Sequence, residues 1–212
     1  MKDLHYNAEY FQWQKDIGFF GGRVNKRKFE SYIKPSDKVI DFGCGGGYLL
    51  ANLKCHEKLG IEVNPEARKN AAKLGINAVA TIDEVPNDWA DVIISNNALE
   101  HTHYPLKELE GLYHKLKPGG KIIFVVPCEN ISYHYVPEDV NQHMYSWSPM
   151  CAGNLFTLAG FQVTESKPYM HKWPRRYTLW YRLLGESLFH RLCQLWSRFE
   201  RTWFQTRVIA VK

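Results

Sequence analysis

The feature that most constrains this chain is a run of apolar strand-formers leading straight into glycine: Val39-Ile40-Asp41-Phe42-Gly43-Cys44-Gly45-Gly46-Gly47-Tyr48, with Leu49, Leu50 and Leu53 following at helical spacing. Glycine lets the backbone turn sharply and lets a ligand approach the main chain with no Cβ in the way. The dinucleotide pattern G-x-G-x-x-G fails, because Tyr48 stands three residues after Gly45. The triphosphate pattern fails as well, since no Gly-Lys-Ser/Thr follows. What remains is D-x-G-x-G-x-G, with Asp41, Gly43, Gly45 and Gly47 in register. Glu62 lies 21 residues after Asp41, where an acidic group at a strand end can accept hydrogen bonds from both hydroxyls of a ribose.

Around this bend, short β-branched runs alternate with helical patterns, which predicts βαβ units and a mainly parallel sheet. The expected strands are Lys38–Phe42, Leu59–Val63, Ala78–Ala80, Asp91–Ser95, Lys121–Val126, Phe161–Ser166 and Thr206–Val211. Leu106, Leu109, Leu112, Tyr113 and Leu116 form one apolar helix face, stopped by Lys117-Pro118-Gly119-Gly120. Asn64 followed by Pro65 reads as an N-cap and first turn, and Ser148–Ala159 as a helix ended by Gly160. Asn7–Lys15 and Arg23–Ile33 are expected as two helices covering a site at the strand ends. The expectation is therefore an α/β, Rossmann-like single domain: a seven-stranded, mostly parallel sheet, its last strand antiparallel, with helices on both faces. Its parts are an N-terminal helical cover (1–35), a binding core (36–167), a helical insertion (168–205) and the last strand (206–212).

The 212 residues suit one domain, and 45% hydrophobic with 23% charged residues suits a packed globular chain. Five scattered cysteines without a CxxC pair, and no signal-like start, lead us to expect reduced thiols in the cytoplasm. The net charge of +5 is local: residues 170–207 hold eight Lys or Arg against Glu186 and Glu200, while everything before is slightly acidic.

Residues 36–127 resemble the core of class I S-adenosylmethionine-dependent methyltransferases, particularly the branch of small-molecule and sugar O-methyltransferases. VIDFGCGGG, GIEVNP, DVIISNNALEH and LKPGGKIIFVVP carry the likeness, and His143–Trp147 and Ala159-Gly160-Phe161 extend it. The resemblance implies S-adenosyl-L-methionine as cofactor. It places Asp41, Gly43, Cys44 and Gly45 near the methionine end, Glu62 and Val63 at the ribose, and Asn96 along the cleft. Tyr6, Tyr10 and Phe11 would lie over the cofactor. Relatives often set an Asp after the third strand to read adenine; here Ile82 is expected to pack on the ring, with Asp83 or a main-chain carbonyl taking the polar contact.

Methyl transfer to a hydroxyl needs an aligned acceptor and a base for its proton, and imidazole suits that task near neutral pH. His101 is the first candidate, with a main-chain-bonded histidine at a helix start as the bland alternative; His143 is the second. Some relatives carry E-x-x-E-H and bind a divalent metal, but Asn97 here gives N-x-x-E-H, so no metal is expected. The expected acceptor is a small molecule, such as a sugar of a surface glycan. A cofactor-binding protein without turnover is the competing class.

Residues 171–207 interleave Arg with Trp173, Tyr177, Trp180, Tyr181, Phe189, Trp196, Trp203 and Phe204. The favoured reading is a helical cover whose apolar stripe packs on the sheet or on a twin subunit. An anionic membrane surface, suiting a lipid-linked acceptor, is a sharper alternative, and RNA a weaker one because no RNA-binding motif accompanies the charge.

Overall fold

A computed structural model describes residues 8–200 and 203–212, with the side chains of 8–10, 13 and 14 outside the description. Seven strands form one sheet: β1 Lys38–Phe42, β2 Glu57–Ile61, β3 Asn77–Val79, β4 Ala90–Asn96, β5 Leu116–Glu129, β6 Gln162–Tyr169 and β7 Trp203–Val211. The order is β3-β2-β1-β4-β5-β7-β6. β7 alone runs antiparallel to its neighbours, pairing Lys121 with Val211 and Glu129 with Trp203. Residues on alternate sides of each strand feed two cores, as a strand's period of two requires. Ile40, Ile93, Ile122 and Phe124 join α4 (Pro105–Lys115) and α5 (Pro149–Leu158) on one face. Val39, Val92, Ile94, Ile123 and Val125 join α2 (Tyr48–Ala51) and α3 (Pro65–Lys73) on the other.

Local signals behave as their chemistry dictates. The Asn64 side chain accepts from the amides of Glu66 and Ala67, and Pro65 opens α3. Ser148 accepts from the Cys151 amide ahead of α5. β2 ends two residues earlier than expected, which leaves Glu62 and Val63 on the loop beyond its carboxyl end. β5 begins at Leu116, so Lys117–Gly120 bends within the strand rather than preceding it.

The N-terminal cover differs from expectation. A single helix, α1 (Ala8–Asn25), continues through Gly18, Gly21 and Gly22, and two short 3-10 turns (Lys26–Lys28 and Glu30–Tyr32) replace the second helix. Those glycines do not break the helix because they are where it lies on its neighbour. A Cβ on Gly22 would come within 2.5 Å of the Tyr48 backbone. Tight contact here overrides glycine's weak helix propensity, which costs about 1 kcal/mol per residue.

The insertion forms α6 (Tyr177–Phe199), bent at Gly185, whose φ of 69° and ψ of 174° are non-helical. Its buried residues pack on α1. Phe189 and Cys193 meet Val24 of α1, and Phe20 of α1 sits among Trp173, Tyr177, Tyr181 and Phe189 with ring centroids 4.7–6.0 Å apart. The buried side is this aromatic cluster, whereas the leucines at helical spacing, Leu183, Leu188 and Leu195 among them, are exposed. Since the Phe189 ring is fully buried, Phe189→Ala should cost roughly 3–5 kcal/mol in urea unfolding. It should also release the insertion to limited proteolysis before the sheet unfolds.

Candidate active site

In an open parallel sheet, ligands gather at the carboxyl edge where strand order reverses, and here that point lies between β1 and β4. The carboxyl ends of these two strands are held together by Ser95 Oγ donating to the Phe42 carbonyl at 2.8 Å. Gly43 has φ 74°, and a Cβ there would stand 2.2 Å from the Ala98 Cβ, so no side chain fits at this position. Glu62 fastens the bend: Oε2 accepts the Gly45 amide and Oε1 the Asn64 amide, each at 2.8 Å.

Above this edge opens a cavity of about 480 Å³, roofed by α1 through Phe11, Gly18 and Gly22. At one end lie Asp41, Gly43, Cys44, Gly45 and Tyr48; at the other lie Lys28, Asn96, Asn97, His101, His143 and Gln205. The Asp41 carboxyl is 2% exposed and receives no hydrogen bond among the described residues. Burial, and then the Glu62 charge, push its pKa well above the usual carboxylate range. A cationic group brought next to it would restore its charged form. Burial raises Glu62 as well, against the lowering effect of its two amide bonds. A glycine cradle with no Cβ in the way, beside a buried carboxyl open to the cavity, fits the aminoacyl sulfonium portion of S-adenosylmethionine.

The second end is built by tethering the loop after β5. The Met144 amide donates to the Glu100 carbonyl at 3.0 Å, Tyr145 Oη to the His103 carbonyl at 3.0 Å, and the Trp147 amide to the Pro127 carbonyl at 2.9 Å. These bonds set His143 beside His101, with ring centroids 5.0 Å apart. His143 Nδ1 lies 2.8 Å from Glu129 Oε1, which leaves Nε2 directed at Glu100, 3.9 Å from its Oε1. His101 Nε2 is 4.0 Å from the same oxygen. Glu100 is fully buried, and neither carboxylate oxygen has a hydrogen-bond partner among the described residues. Burial first, then the charge of Glu129, lifts its pKa to about 8. Glu100, His101 and His143 each present one ligand atom, all within 4.8 Å of one another.

Of the residues marked from sequence, Phe11, Asp41, Gly43, Cys44, Gly45, Asn96, His101 and His143 therefore share one cavity. Glu62 stands behind the glycine bend, and Val63 is exposed beyond β2. Ile82 is 7% exposed in the core, where a Cβ on Gly111 of α4 would meet it at 3.3 Å, so it does not line the cavity. Tyr6 lies outside the described residues, as does the side chain of Tyr10. Sequence reasoning missed Lys28, Gln205 and Glu129. Lys28 Nζ donates to Asn96 Oδ1 at 2.7 Å and Gln205 Oε1 at 3.1 Å, and Gln205 Nε2 donates to Asn97 Oδ1 at 3.0 Å. Lys28 reads as one more charge in a basic run, and nothing local distinguishes Glu129.

The comparisons with known proteins agree with this geometry. Residues 12–166 match the model of a methyltransferase domain, and the chain belongs to that family. An uncharacterized methyltransferase of Schizosaccharomyces pombe is 30% identical over 60% of this chain and 50% of its own, so the chain spans half the length of that curated relative. Among solved structures, the putative methyltransferase in complex with the Trm112 methyltransferase activator of Haloferax volcanii is similar at a TM-score of 0.68 and 20% identity, over 96% of this chain and 97% of that one. A SAM-dependent methyltransferase from Archaeoglobus fulgidus gives a TM-score of 0.67 and 19% identity, over 96% and 99%.

Two measurements probe the site. Glu62→Ala should weaken S-adenosylhomocysteine binding by roughly a hundredfold or more in a calorimetric titration, since two charge-assisted bonds are lost. Burial holds Lys28 down at about 7, against the partial restoring effect of Glu100. Between that value and an unfolded lysine's ~10.4 the native chain binds fewer protons than the unfolded one. Stability from this group therefore rises with pH across that window, and below it the cost of the buried ammonium is felt in full. Above about 8 Glu100 is already ionised and no longer opposes the trend. From pH 8 to 10 the stability advantage of Lys28→Met over wild type should shrink by about 1.4 kcal/mol per pH unit in chemical denaturation.

Proposed function

We propose that the chain transfers a methyl group from S-adenosylmethionine to a hydroxyl of a small-molecule acceptor, with His143 as the base. The acceptor class, a sugar or related metabolite, rests on likeness to the O-methyltransferase branch. The observation that carries the role of His143, which lines the cavity, is its pairing with Glu129 at 2.8 Å. A carboxylate on Nδ1 fixes the tautomer, leaves the Nε2 lone pair to accept a proton and stabilises the imidazolium that forms. That ranks His143 ahead of His101, the reverse of the order suggested by sequence. When bound, S-adenosylmethionine supplies an electrophilic methyl whose departure leaves a neutral thioether. The chain's residues then have three tasks: Asp41 and the glycine bend seat the donor, Asn96 and Lys28 border the acceptor, and His143 Nε2 receives the hydroxyl proton. Roofing by α1 excludes water, so that the acceptor oxygen competes alone for the methyl.

A second reading is favoured by one specific observation, the buried Glu100 with both carboxylate oxygens unsatisfied between two imidazoles. Glu100, His101 and His143 would hold a divalent ion, with Glu129 as the outer partner of His143, and such an ion would lower the pKa of an acceptor hydroxyl. Ligands of one ion lie about 3–4 Å apart, and the separations of 3.9 and 4.0 Å from Glu100 Oε1 suit this.

In labelled-methyl assays His143→Ala should lower kcat by about 10²- to 10⁴-fold while S-adenosylhomocysteine affinity holds within twofold. Glu129→Gln should lower kcat less. Activity unaffected by a chelator favours the base reading, whereas loss restored by manganese or magnesium favours the metal. Cofactor binding without transfer to any hydroxyl acceptor would place the chain among binding-only proteins.

A further inference from the structure

We propose that the outer face of α6 is a docking surface for an anionic lipid bilayer. The helix carries two apolar stripes. One, through Phe189 and Cys193, is buried against α1. The other is formed by Leu188, Leu192, Leu195 and Phe199, which at 3.6 residues per turn fall within roughly 60° of one another on a different side. Before the Gly185 bend, Leu179, Trp180 and Leu183 continue an outward apolar face, with Leu183 68% exposed and Phe199 75%. Arg182 and Arg191 border these stripes, and Arg175 and Arg176 precede them. All four are exposed, and none has a carboxylate partner among the described residues. A helix with one anchored side, one exposed apolar side and flanking arginines suits the plane between headgroups and acyl chains.

Charge selects this occupant over the others. Two copies meeting through this face would set eight uncompensated arginines against one another. A nucleic acid could stack on Trp180 and Phe199 but would leave the aliphatic surface of Leu183, Leu188 and Leu195 in water, whereas acyl chains would cover all of it. Among the described residues no helix is long and apolar enough to cross a membrane, so α6 would lie along a bilayer and not through it. The insertion leaves the sheet after Tyr169 and returns at Trp203, and Trp173 and Trp203 both line the catalytic cavity. A bilayer seated on α6 would therefore lie beside the cavity mouth. The inference concerns the surface alone and stands whether or not the acceptor is itself a lipid.

The test is co-sedimentation of the full chain with vesicles of phosphatidylcholine, and of phosphatidylcholine with about one third phosphatidylglycerol. Binding is expected to the anionic vesicles and to be at least tenfold weaker on the neutral ones. Leu183→Glu/Leu195→Glu should cut binding to anionic vesicles about tenfold, and Arg182→Gln/Arg191→Gln should reduce it and flatten its salt dependence. All four positions are exposed, and unchanged S-adenosylhomocysteine affinity of the variants would show that the fold is retained. Absence of vesicle binding overturns the proposal. So does light scattering that finds a dimer which the Leu183→Glu/Leu195→Glu variant dissolves, or salt-sensitive RNA binding that displaces the vesicles. Failure of the methyl-transfer reading would appear separately, in the cofactor titration.

Discussion

The site is organised by one carboxylate bonded to two backbone amides. Glu62 ties Gly45 on the loop after β1 to Asn64 on the loop after β2, and Asn64 in turn caps α3. A glycine-rich turn is costly to order because glycine has the most conformational freedom to lose. Charge-assisted bonds from a buried carboxylate are strong enough to offset part of that cost. The same glycines are fixed by steric need from the opposite side, where Ala98 approaches Gly43 and α1 approaches the start of α2. The bend is thus held from the sheet, from the neighbouring loop and from its roof.

Electrostatics divides the cavity into two unlike halves. At the glycine end a buried carboxyl awaits a cation. At the far end, Lys28, Glu100, Glu129 and two imidazoles lie close together, with Lys28 and Glu100 shifted by burial toward neutral pH from opposite directions. Clusters of titratable groups so displaced are typical of places where protons move or ions bind. They are also expensive, and the sheet's two hydrophobic cores supply the stability that tolerates them.

The fold was largely legible in the sequence because its signals are local. Alternating apolar runs, an Asn-Pro helix start and a glycine stop each act within a few residues, and the strand boundaries differ from expectation by only a few positions. That Asp41, Gly43, Cys44, Gly45 and Asn96 would meet at one cavity was legible for the same reason, since they are carried by contiguous residues at the ends of β1 and β4. The misses are long-range. Whether Gly18 and Gly22 break a helix depends on Tyr48 lying against them, which no local pattern records. Lys28 and Gln205 meet across 177 positions of chain, and Glu129 gains its meaning only when a loop tethered at Trp147 returns His143 to it. The insertion's leucine stripe at helical spacing is largely exposed, and the side that is buried, through Phe189 and Cys193, packs on α1, far away in the sequence.

That pairing of the first helix with the last insertion bears on how the polypeptide matures. Every residue of the glycine bend and its Glu62 tie lies before position 65, and β1 to β5 all lie before position 130. Phe20 has no Phe189 to pack against until about 170 further residues have been made. The residues of the ligand cradle are thus translated early and those that enclose α1 late, so Phe20 and Val24 are without their packing partners in the interval.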